Sequence, residues 1–295
     1  MNAKQMNGCG LHMVCLPGRQ DFFRQVESSL EQLGLEARQG YCTRTESYLV
    51  ASLSLPALED ADALRLLTAL LPLVRHGRGA LYLSRSEALW PIRYVFADLD
   101  GTLIPDEVMI ALARQRGLGE AMSRLTMEAM LGQSSFAESF AQRSRMLKGL
   151  RLSEVAQVVD EVEIPLDVLR WIGTLKRSGI GLEVVSGAYR EVVAPLCMRL
   201  GVRDYCASAA LFEGDYFTGT LTEPLVDDLY KADYVRFRTI ARGILPLRVM
   251  AIGDGANDLP MLSQAAHALL FASPREARGL SLEQLWHFVQ QDIRY

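Results

Sequence analysis

Three short apolar runs in this sequence each end in a cluster of polar residues. They are YVFAD at 94–98, LEVVS at 182–186 and LRVMAIGD at 247–254. Segments with helical spacing of apolar residues, such as 165–178, lie between them. Strands that alternate with helices predict a doubly wound parallel sheet, that is, a Rossmann-like α/β core. Ligands bind at the carboxyl ends of the strands in such sheets, so the polar clusters mark the expected site.

Several further helical segments lie between the first and the second run. They cover 107–116, 121–131 and 136–148. One crossover connection needs a single helix, so these segments are too many for it. We therefore predict a helical cap over 107–162, inserted into a core formed by 93–106 and 163–295.

The first part of the chain has a different pattern. Residues 11–84 read as strand, helix, strand, strand, helix, strand, an order that suits an α+β ferredoxin-like sandwich with helices on one face. We expect this domain to cover 1–88 and a second domain to cover 89–295. The stretch RSEALWPIR, just before Tyr94, is the predicted linker.

Composition limits the classes of partner. The formal net charge is −4, which argues against a nucleic acid, because proteins that bind polyanions usually carry a basic excess. The apolar stretch 64–74 is too short to span a bilayer, and the first ten residues do not resemble a signal peptide. Five cysteines without a CxxC pair suit reduced thiols. We expect a cytoplasmic protein with no membrane or nucleic-acid partner.

The strand ends carry four acids that we expect to converge, namely Asp98, Asp100, Asp254 and Asp258. Desolvated carboxylates this close repel one another strongly. A hard divalent cation relieves that repulsion, and Mg²⁺ is the usual one where phosphate is also bound. The glycines of the segment GDGAND, at 253–258, allow backbone N–H groups to approach an anion.

The spacing D-x-D-G-T separates the roles of the first two acids. Asp98 is free to attack phosphorus and form an aspartyl-phosphate, a known type of covalent intermediate. Asp100 can donate a proton to the leaving group and later accept one from water. Lys231 and the hydroxyl of Ser186 can compensate charge on the phosphoryl oxygens.

These motifs resemble those of the haloacid-dehalogenase-like phosphatase superfamily: DLDGT at 98–102, VVSG at 184–187, Lys231 and GDGAND at 253–258. Over about 93–272 the sequence is similar to the phosphoserine phosphatases in particular. The resemblance implies a magnesium-dependent hydrolase that converts O-phospho-L-serine to L-serine and phosphate. A phosphorylated amino acid is then the expected small-molecule partner.

The resemblance also implies individual roles in catalysis and metal binding. It makes Asp98 the nucleophile and a metal ligand, and Asp100 the acid and base, with its backbone carbonyl on the metal. Asp254 is the third protein ligand, Asp258 supports the metal site, and Lys231 bridges the nucleophile and the phosphate.

The implied substrate contacts lie partly in the cap. Glu107 and Arg143 would hold the amino and carboxylate groups of serine, with Met130 and Phe136 lining the cap. The groups that contact phosphate are Ser186, Gly187 and Asn257. One departure is Gly101, where phosphoserine phosphatases usually have serine.

Three alternatives remain open at this point. The chain could act on another small phosphomonoester, or transfer phosphate to a homoserine-like acceptor. It could also be an amino-acid sensor with an idle core, although the retained set of Asp98, Asp100, Lys231 and Asp254 argues against that.

The predicted N-terminal domain, 1–88, resembles ACT-type domains, which bind amino acids. Pro17 and Gly18 lie where such domains place a turn that contacts the ligand. The other interpretation is a degenerate domain used for packing or for forming a homodimer.

Overall fold

The computed structural model contains ten strands and eleven helices within the part of the chain that it describes. The described residues are 8–45, 48–75, 79–85, 91–130, 135–222, 224–272 and 280–292. The strands are β1 (Cys9–Cys15), β2 (Arg38–Arg44), β3 (Leu49–Leu55), β4 (Ala80–Ser84), β5 (Tyr94–Ala97), β6 (Gly181–Tyr189), β7 (Asp204–Glu213), β8 (Tyr216–Thr222), β9 (Val249–Gly253) and β10 (His267–Leu270). The helices are α1 (Asp21–Gln32), α2 (Asp60–Arg75), α3 (Val108–Arg114), α4 (Gly119–Met130), α5 (Phe136–Met146), α6 (Leu152–Glu161), α7 (Leu166–Arg177), α8 (Arg190–Leu200), α9 (Asp228–Ala241), α10 (Leu259–Gln264) and α11 (Leu282–Asp292).

The second half of the chain forms the parallel sheet that the sequence predicts. Its strands lie in the order β10-β9-β5-β6-β7. Every neighbouring pair among them is parallel, and the strands alternate with helices along the chain. The Rossmann-like α/β core is therefore confirmed, with β6, β5 and β9 adjacent as the expected site requires.

The first part of the chain forms an antiparallel sheet with the strand order β2-β3-β1-β4. The predicted succession of strand, helix, strand, strand, helix, strand is confirmed. However, β4 also pairs antiparallel with β10, so all ten strands belong to one continuous sheet. The sheet thus crosses the predicted boundary between 88 and 89, and residues 86–90 of the predicted linker lie outside the described part of the chain.

Two apolar clusters, one on each face of the sheet, hold the molecule together. On one face, helices α1, α2, α9 and α10 cover residues from β1 to β9, among them Leu11 and Phe96. On the other face, α7, α8, α11 and the cap cover Val14, Val95 and Val184. Each cluster contains residues from both parts of the chain, so neither part has a hydrophobic core of its own.

The cap consists of α3, α4, α5 and α6, together with a feature that the sequence analysis missed. The second half of β7 leaves β6 and pairs with β8 as a hairpin at the edge of the sheet, with β8 beside α5. The backbone of Phe217 in β8 exchanges hydrogen bonds with Gly149 and Leu150, at 2.7 and 2.8 Å. This hairpin closes one side of the cap. Gly117, with φ of +69°, ends α3 earlier than predicted.

Helix α11 joins the two parts of the chain. Trp286 packs edge-on against Trp171 of α7, with ring centroids 6.1 Å apart. Phe288 lies against His12 of β1 and Tyr82 of β4, at 5.5 and 6.3 Å. Trp286 and Phe288 are both buried, so they serve packing. Among the residues described, none of the helices combines the length and apolarity needed to cross a bilayer.

Candidate active site

The polar strand ends meet at one edge of the parallel sheet. Asp98 follows β5, Asp254 follows β9, and the carboxylate oxygens of Asp98, Asp254 and Asp258 lie within 4.8 Å of one another. Ser186 is buried in β6, next to a shift in the register with β7. Such a bulge re-aims side chains at a sheet edge. The predicted convergence of the acids is thus present, apart from the carboxylate of Asp100.

Lys231 is the centre of the charge network. It projects from the first turn of α9, is fully buried, and donates to Asp98 Oδ1 at 2.6 Å and to Asp258 Oδ1 at 2.7 Å. Burial opposes its positive charge, but the two carboxylates outweigh that effect and raise its pKa. Lys231 is therefore a permanent cation that fixes one oxygen of Asp98.

Asp258 organises the loop after β9. Its Oδ2 accepts from the backbone N–H groups of Asp254 and Gly255, at 3.1 and 3.0 Å, while its Oδ1 accepts from Lys231. Both oxygens thus have protein donors. This arrangement suits the supporting role that the resemblance implies better than a role as metal ligand.

The two acids of the D-x-D-G-T motif have different electrostatic environments. Burial, reinforced by Asp258 and partly offset by Lys231, raises the pKa of Asp98 to about 7. Burial, Glu107 and Asp98 together raise the pKa of Asp100 well above its usual range. Asp100 is partly exposed as a residue, yet its Oδ1 is buried and has no hydrogen-bond partner among the described residues. Asp100 is therefore suited to hold a proton.

The donor set fits a hard divalent cation. Asp98 and Asp254 offer carboxylate oxygens, the ligands that such cations prefer, and no sulfur or imidazole belongs to the cluster found in the described chain. Gly101 adds support, since its φ is +70° and a Cβ there would lie 2.5 Å from Asp254 Oδ2. The glycine at this departure from the phosphoserine phosphatase pattern thus makes room for the Asp254 carboxylate.

A cavity of about 230 Å³ separates the strand ends from the cap. Glu107, at the N-terminal end of α3, and Phe136 and Arg143, both on α5, line its cap side. The other lining residues are Asp98, Asp100, Met109, Thr126, Phe140, Ser186, Gly187, Ala188, Asp228, Asp254, Gly255, Ala256 and Asn257. The cavity therefore gathers nearly all the predicted site residues. Lys231 and Asp258 lie beneath it, and the side chain of Met130 lies outside the described part of the chain.

Arg143 is a buried cation in the cap. Its Nε lies 3.4 Å from the Ser139 carbonyl and its Nη1 lies 3.5 Å from Thr126 Oγ1, both at the long limit for a hydrogen bond. The guanidinium lies over the ring of Phe140, 5.4 Å from its centroid. Burial lowers the pKa of Arg143, although Glu107 partly offsets this. A guanidinium held this loosely by the protein can bind an anionic group in the cavity.

The sequence analysis missed several lining residues. Asp228 lies one helical turn before Lys231, so the i, i+3 spacing was an available signal for it. Met109 lies two residues after Glu107, a spacing that does not place two side chains on one side of a helix, so it gave no such signal. Thr126 comes from α4 and gave no sequence signal. Gly187 was predicted, and a Cβ there would meet Phe136 and the Val226 carbonyl, each at 3.0 Å.

Comparison with known proteins identifies the family. A sequence model of the haloacid dehalogenase-like hydrolases matches residues 95–263, more than half of the chain. The chain belongs to this hydrolase family. The matched region contains the predicted nucleophile, Lys231 and the loop after β9. The predicted superfamily is thus confirmed.

Individual relatives are phosphoserine phosphatases. The chain is similar to the one from Archaeoglobus fulgidus, with 32% identity over 180 residues, which is 61% of this chain and 52% of that protein. It spans about half the length of the first curated relatives that it matches.

Two solved structures show how far the similarity in fold extends. A phospho-aspartyl intermediate analogue of phosphoserine phosphatase aligns with a TM-score of 0.57 and 26% identity, over 60% of this chain and 85% of the other. The unliganded probable phosphoserine phosphatase from Vibrio cholerae aligns with a TM-score of 0.58 over 99% of this chain and 90% of its own. At 21% identity the latter shows the fold alone, but the shared fold includes β1 to β4.

Proposed function

We propose that this chain is a magnesium-dependent phosphoserine phosphatase, which hydrolyses O-phospho-L-serine to L-serine and phosphate. One observation carries the proposal: the cavity has a nucleophile held by Lys231 on its sheet side and both a carboxylate and a guanidinium on its cap side. Phosphoserine carries a phosphate, an ammonium and a carboxylate group, which match these three features. The relatives named phosphoserine phosphatase support the same substrate.

In the proposed first step, Asp98 attacks phosphorus with its Oδ2, because Lys231 holds Oδ1. The bond between phosphorus and the serine oxygen breaks, and an aspartyl-phosphate forms on Asp98. Asp100, whose pKa burial, Glu107 and Asp98 raise well above its usual range, donates its proton to the leaving serine oxygen. L-Serine then leaves with a neutral hydroxyl group.

In the proposed second step, water attacks the phosphorus of the aspartyl-phosphate. Asp100, now ionised, accepts a proton from that water, and the bond between phosphorus and the Asp98 oxygen breaks. The products are inorganic phosphate and the original carboxylate of Asp98. The acid thus serves as the base of the second step and returns to its starting state.

The phosphate is held by groups at the sheet edge. We assign its contacts to the Ser186 hydroxyl, the Gly187 backbone and the Asn257 amide, all of which line the cavity. Asp98, Asp254 and the backbone carbonyl of Asp100 would hold Mg²⁺, which supplies positive charge beside the phosphoryl oxygens when bound.

The cap determines which phosphomonoester is accepted. Glu107 is assigned to the ammonium and Arg143 to the carboxylate, which its planar fork can bind with two hydrogen bonds. Phe136 provides an apolar wall beside Gly187. Arg143 is buried, so a substrate that lacks the carboxylate leaves its guanidinium without an anionic partner in the cavity, at a cost of about 3 kcal/mol or more.

For the N-terminal part we propose an ACT-type domain and a cytoplasmic location for the whole chain. The strand order β2-β3-β1-β4 and the positive φ of Gly18, +91°, support the first. The five cysteines, all free thiols, support the second. Titration calorimetry of the full chain with serine and other amino acids tests whether this domain binds a ligand. If no heat of binding is measured, the domain serves packing. Sedimentation tests whether the chain forms a homodimer.

The decisive experiment measures phosphate release from three substrates, with Mg²⁺ and with EDTA. Phosphoserine should exceed phosphoethanolamine, which lacks the carboxylate, by at least about 100-fold in kcat/KM, and should also exceed 3-phosphoglycerate, which lacks the amine. EDTA should abolish the activity and Mg²⁺ should restore it. Arg143→Ala should narrow the preference over phosphoethanolamine.

Glu107→Gln is the matched control for the cap. It should weaken turnover of phosphoserine yet leave an aryl phosphate nearly unchanged, because the aryl ester has no ammonium group. Equal rates for phosphoserine and phosphoethanolamine in the wild-type enzyme would contradict the assignment of Arg143. Phosphate release from a different phosphomonoester would favour another phosphatase activity. Transfer of phosphate to an added alcohol would favour a phosphotransferase, and no phosphate release from any substrate would favour an amino-acid sensor.

A further inference from the structure

Helix α9 contacts the sheet along one stripe that begins at the active site. Lys231, Val235 and Thr239 are its buried residues, and Arg238 and Arg242 continue the same face toward its C-terminal end. Residues at spacings of three and four lie on one side of a helix. Whatever holds the later turns of this stripe therefore also fixes the position of its first turn, which carries Lys231.

The later turns are held by two acids of the sheet: Asp204 of β7, which Arg242 approaches at 3.0 Å, and Glu183 of β6, a carboxylate that is fully buried. Arg238 Nε donates to both of its oxygens, at 2.9 and 3.2 Å, and Arg242 reaches it at 3.4 Å. The hydroxyl of Tyr234 donates to Oε1, and the hydroxyl of Tyr94 on β5 donates to Oε2 at 3.0 Å. Glu183 thus has one hydroxyl partner from the sheet and three partners from α9 and its C-cap.

The spacings on the strand and on the helix correspond. Glu183 precedes Ser186 by three residues, about 10 Å along an extended strand. Arg238 follows Lys231 by seven residues, about 10 Å along a helix. The strand runs toward the site and the helix begins there, so the two elements run in opposite directions with matched distances between their contacts.

We propose that Glu183 is a positioning residue for Lys231, an inference that rests on the proposed function. By fixing how far α9 extends along β6, Glu183 sets where the Lys231 ammonium meets Asp98. No described atom of Glu183 lines the cavity, so it acts only through the helix. The cap residues that face the substrate lie on other elements and should be unaffected.

This role predicts an effect on kcat rather than on KM. A small shift of Lys231 misorients the nucleophile during attack, whereas Glu107 and Arg143 still bind the serine part. Glu183→Gln should therefore lower kcat by tenfold or more and change KM by less than threefold. A residue that only stabilised the fold would lower the fraction of folded enzyme and leave kcat per folded molecule unchanged.

Two tyrosines provide a matched pair of variants. Tyr94→Phe and Tyr234→Phe each remove one hydroxyl from the same carboxylate and keep the ring, but only Tyr234 lies on α9. Tyr234→Phe should lower kcat at least threefold, whereas Tyr94→Phe should stay within twofold of the wild type. Kinetics would be measured on folded enzyme, with circular dichroism and urea midpoints recorded for each variant.

Amide hydrogen exchange of 228–241, measured by mass spectrometry, gives a readout that needs no substrate. Exchange there should be faster in Tyr234→Phe than in Tyr94→Phe. The inference is overturned if the two tyrosine variants show equal exchange rates in 228–241 or an equal loss of kcat. It is also overturned if folded Glu183→Gln has the kcat of the wild type. If Glu183→Gln does not fold, the tyrosine pair decides. If the wild type releases no phosphate from any substrate, the proposed function fails and the exchange experiment still tests the link between Glu183 and α9.

Discussion

The most direct test of the charge network is the removal of its one buried cation. Lys231→Met keeps most of the volume of the side chain but deletes the ammonium that lies between Asp98 and Asp258, at 2.6 and 2.7 Å. Both carboxylates are buried as well. The substitution therefore leaves two adjacent buried acids without their shared partner.

The expected cost follows from the energetics of buried ion pairs. Removing one partner of such a pair costs about 3–5 kcal/mol, because the remaining charge is desolvated and uncompensated. Asp98, whose pKa is about 7 with the lysine present, can take up a proton when the lysine is gone, which keeps the cost near the lower end of that range. Each kcal/mol lowers Tm by about 2–4 °C in large domains, so a cost of about 3 kcal/mol predicts a decrease of about 6–12 °C.

The assay is thermal unfolding at pH 7 in EDTA, followed by the same measurement with Mg²⁺. A divalent cation bound by Asp98 and Asp254 supplies positive charge, so Mg²⁺ should stabilise Lys231→Met more than the wild type. The control is the same substitution in an Asp98→Asn background. Asparagine needs no counter-charge, so in that background Lys231→Met should lower the free energy of unfolding by about 1–3 kcal/mol less than it does in the wild type.

Two results would refute this reasoning. A loss below about 1 kcal/mol in EDTA would mean that the buried carboxylates do not depend on Lys231. An equal loss in the Asp98→Asn background would mean that the lysine acts through packing rather than through charge.

Three further predictions concern other parts of the molecule. Burial and Asp258 raise the pKa of Asp98 to about 7, so between about pH 4 and 7 the folded metal-free protein keeps a proton that the unfolded chain has lost. The stabilisation that this proton gives should therefore fall as pH rises through this window, and Tm measured in EDTA should fall with it. Mg²⁺ should remove this pH dependence. Cys42 is exposed, whereas burial raises the pKa of Cys197 to about 12, so a thiol reagent should label Cys42 rapidly and Cys42→Ser should abolish the fast phase. Trp286→Ala should lower the free energy of unfolding by about 3–5 kcal/mol in urea titrations, because it leaves a cavity between α11 and α7; a loss under 1 kcal/mol would show that α11 contributes little to the fold.

The parts of the site that were predictable from the sequence depend on local patterns. Asp98, Ser186 and Asp254 each follow or end an apolar strand, and the topology of a parallel sheet brings such strand ends together. Lys231 came from a family resemblance, and the structure brings it to the same cluster. These residues could be found because most of them belong to short motifs of adjacent residues.

Other features depend on contacts between distant parts of the chain. Nothing in the local sequence of β4 or β10 indicates that they pair, so one sheet was predicted as two domains. The β7–β8 hairpin was missed because its place beside α5 depends on contacts with the cap, which no local pattern shows. Glu183 did leave a signal, since an acid inside an apolar strand requires buried partners, but its partners on α9 lie 51 to 59 positions away.

The pairing of β4 with β10 has a consequence for synthesis of the chain. Ser84 pairs with His267, so the open edge of the first four strands receives its partner only after 183 further residues have been synthesised. At about 5–20 residues per second, that edge waits about 10–40 s. During this interval the nascent N-terminal sheet exposes unpaired backbone groups on β4, together with the face that α11 later covers. A ribosome-bound chain stalled before β10 should therefore bind chaperones through this sheet, whereas the folded protein, in which β10 covers that edge, should not.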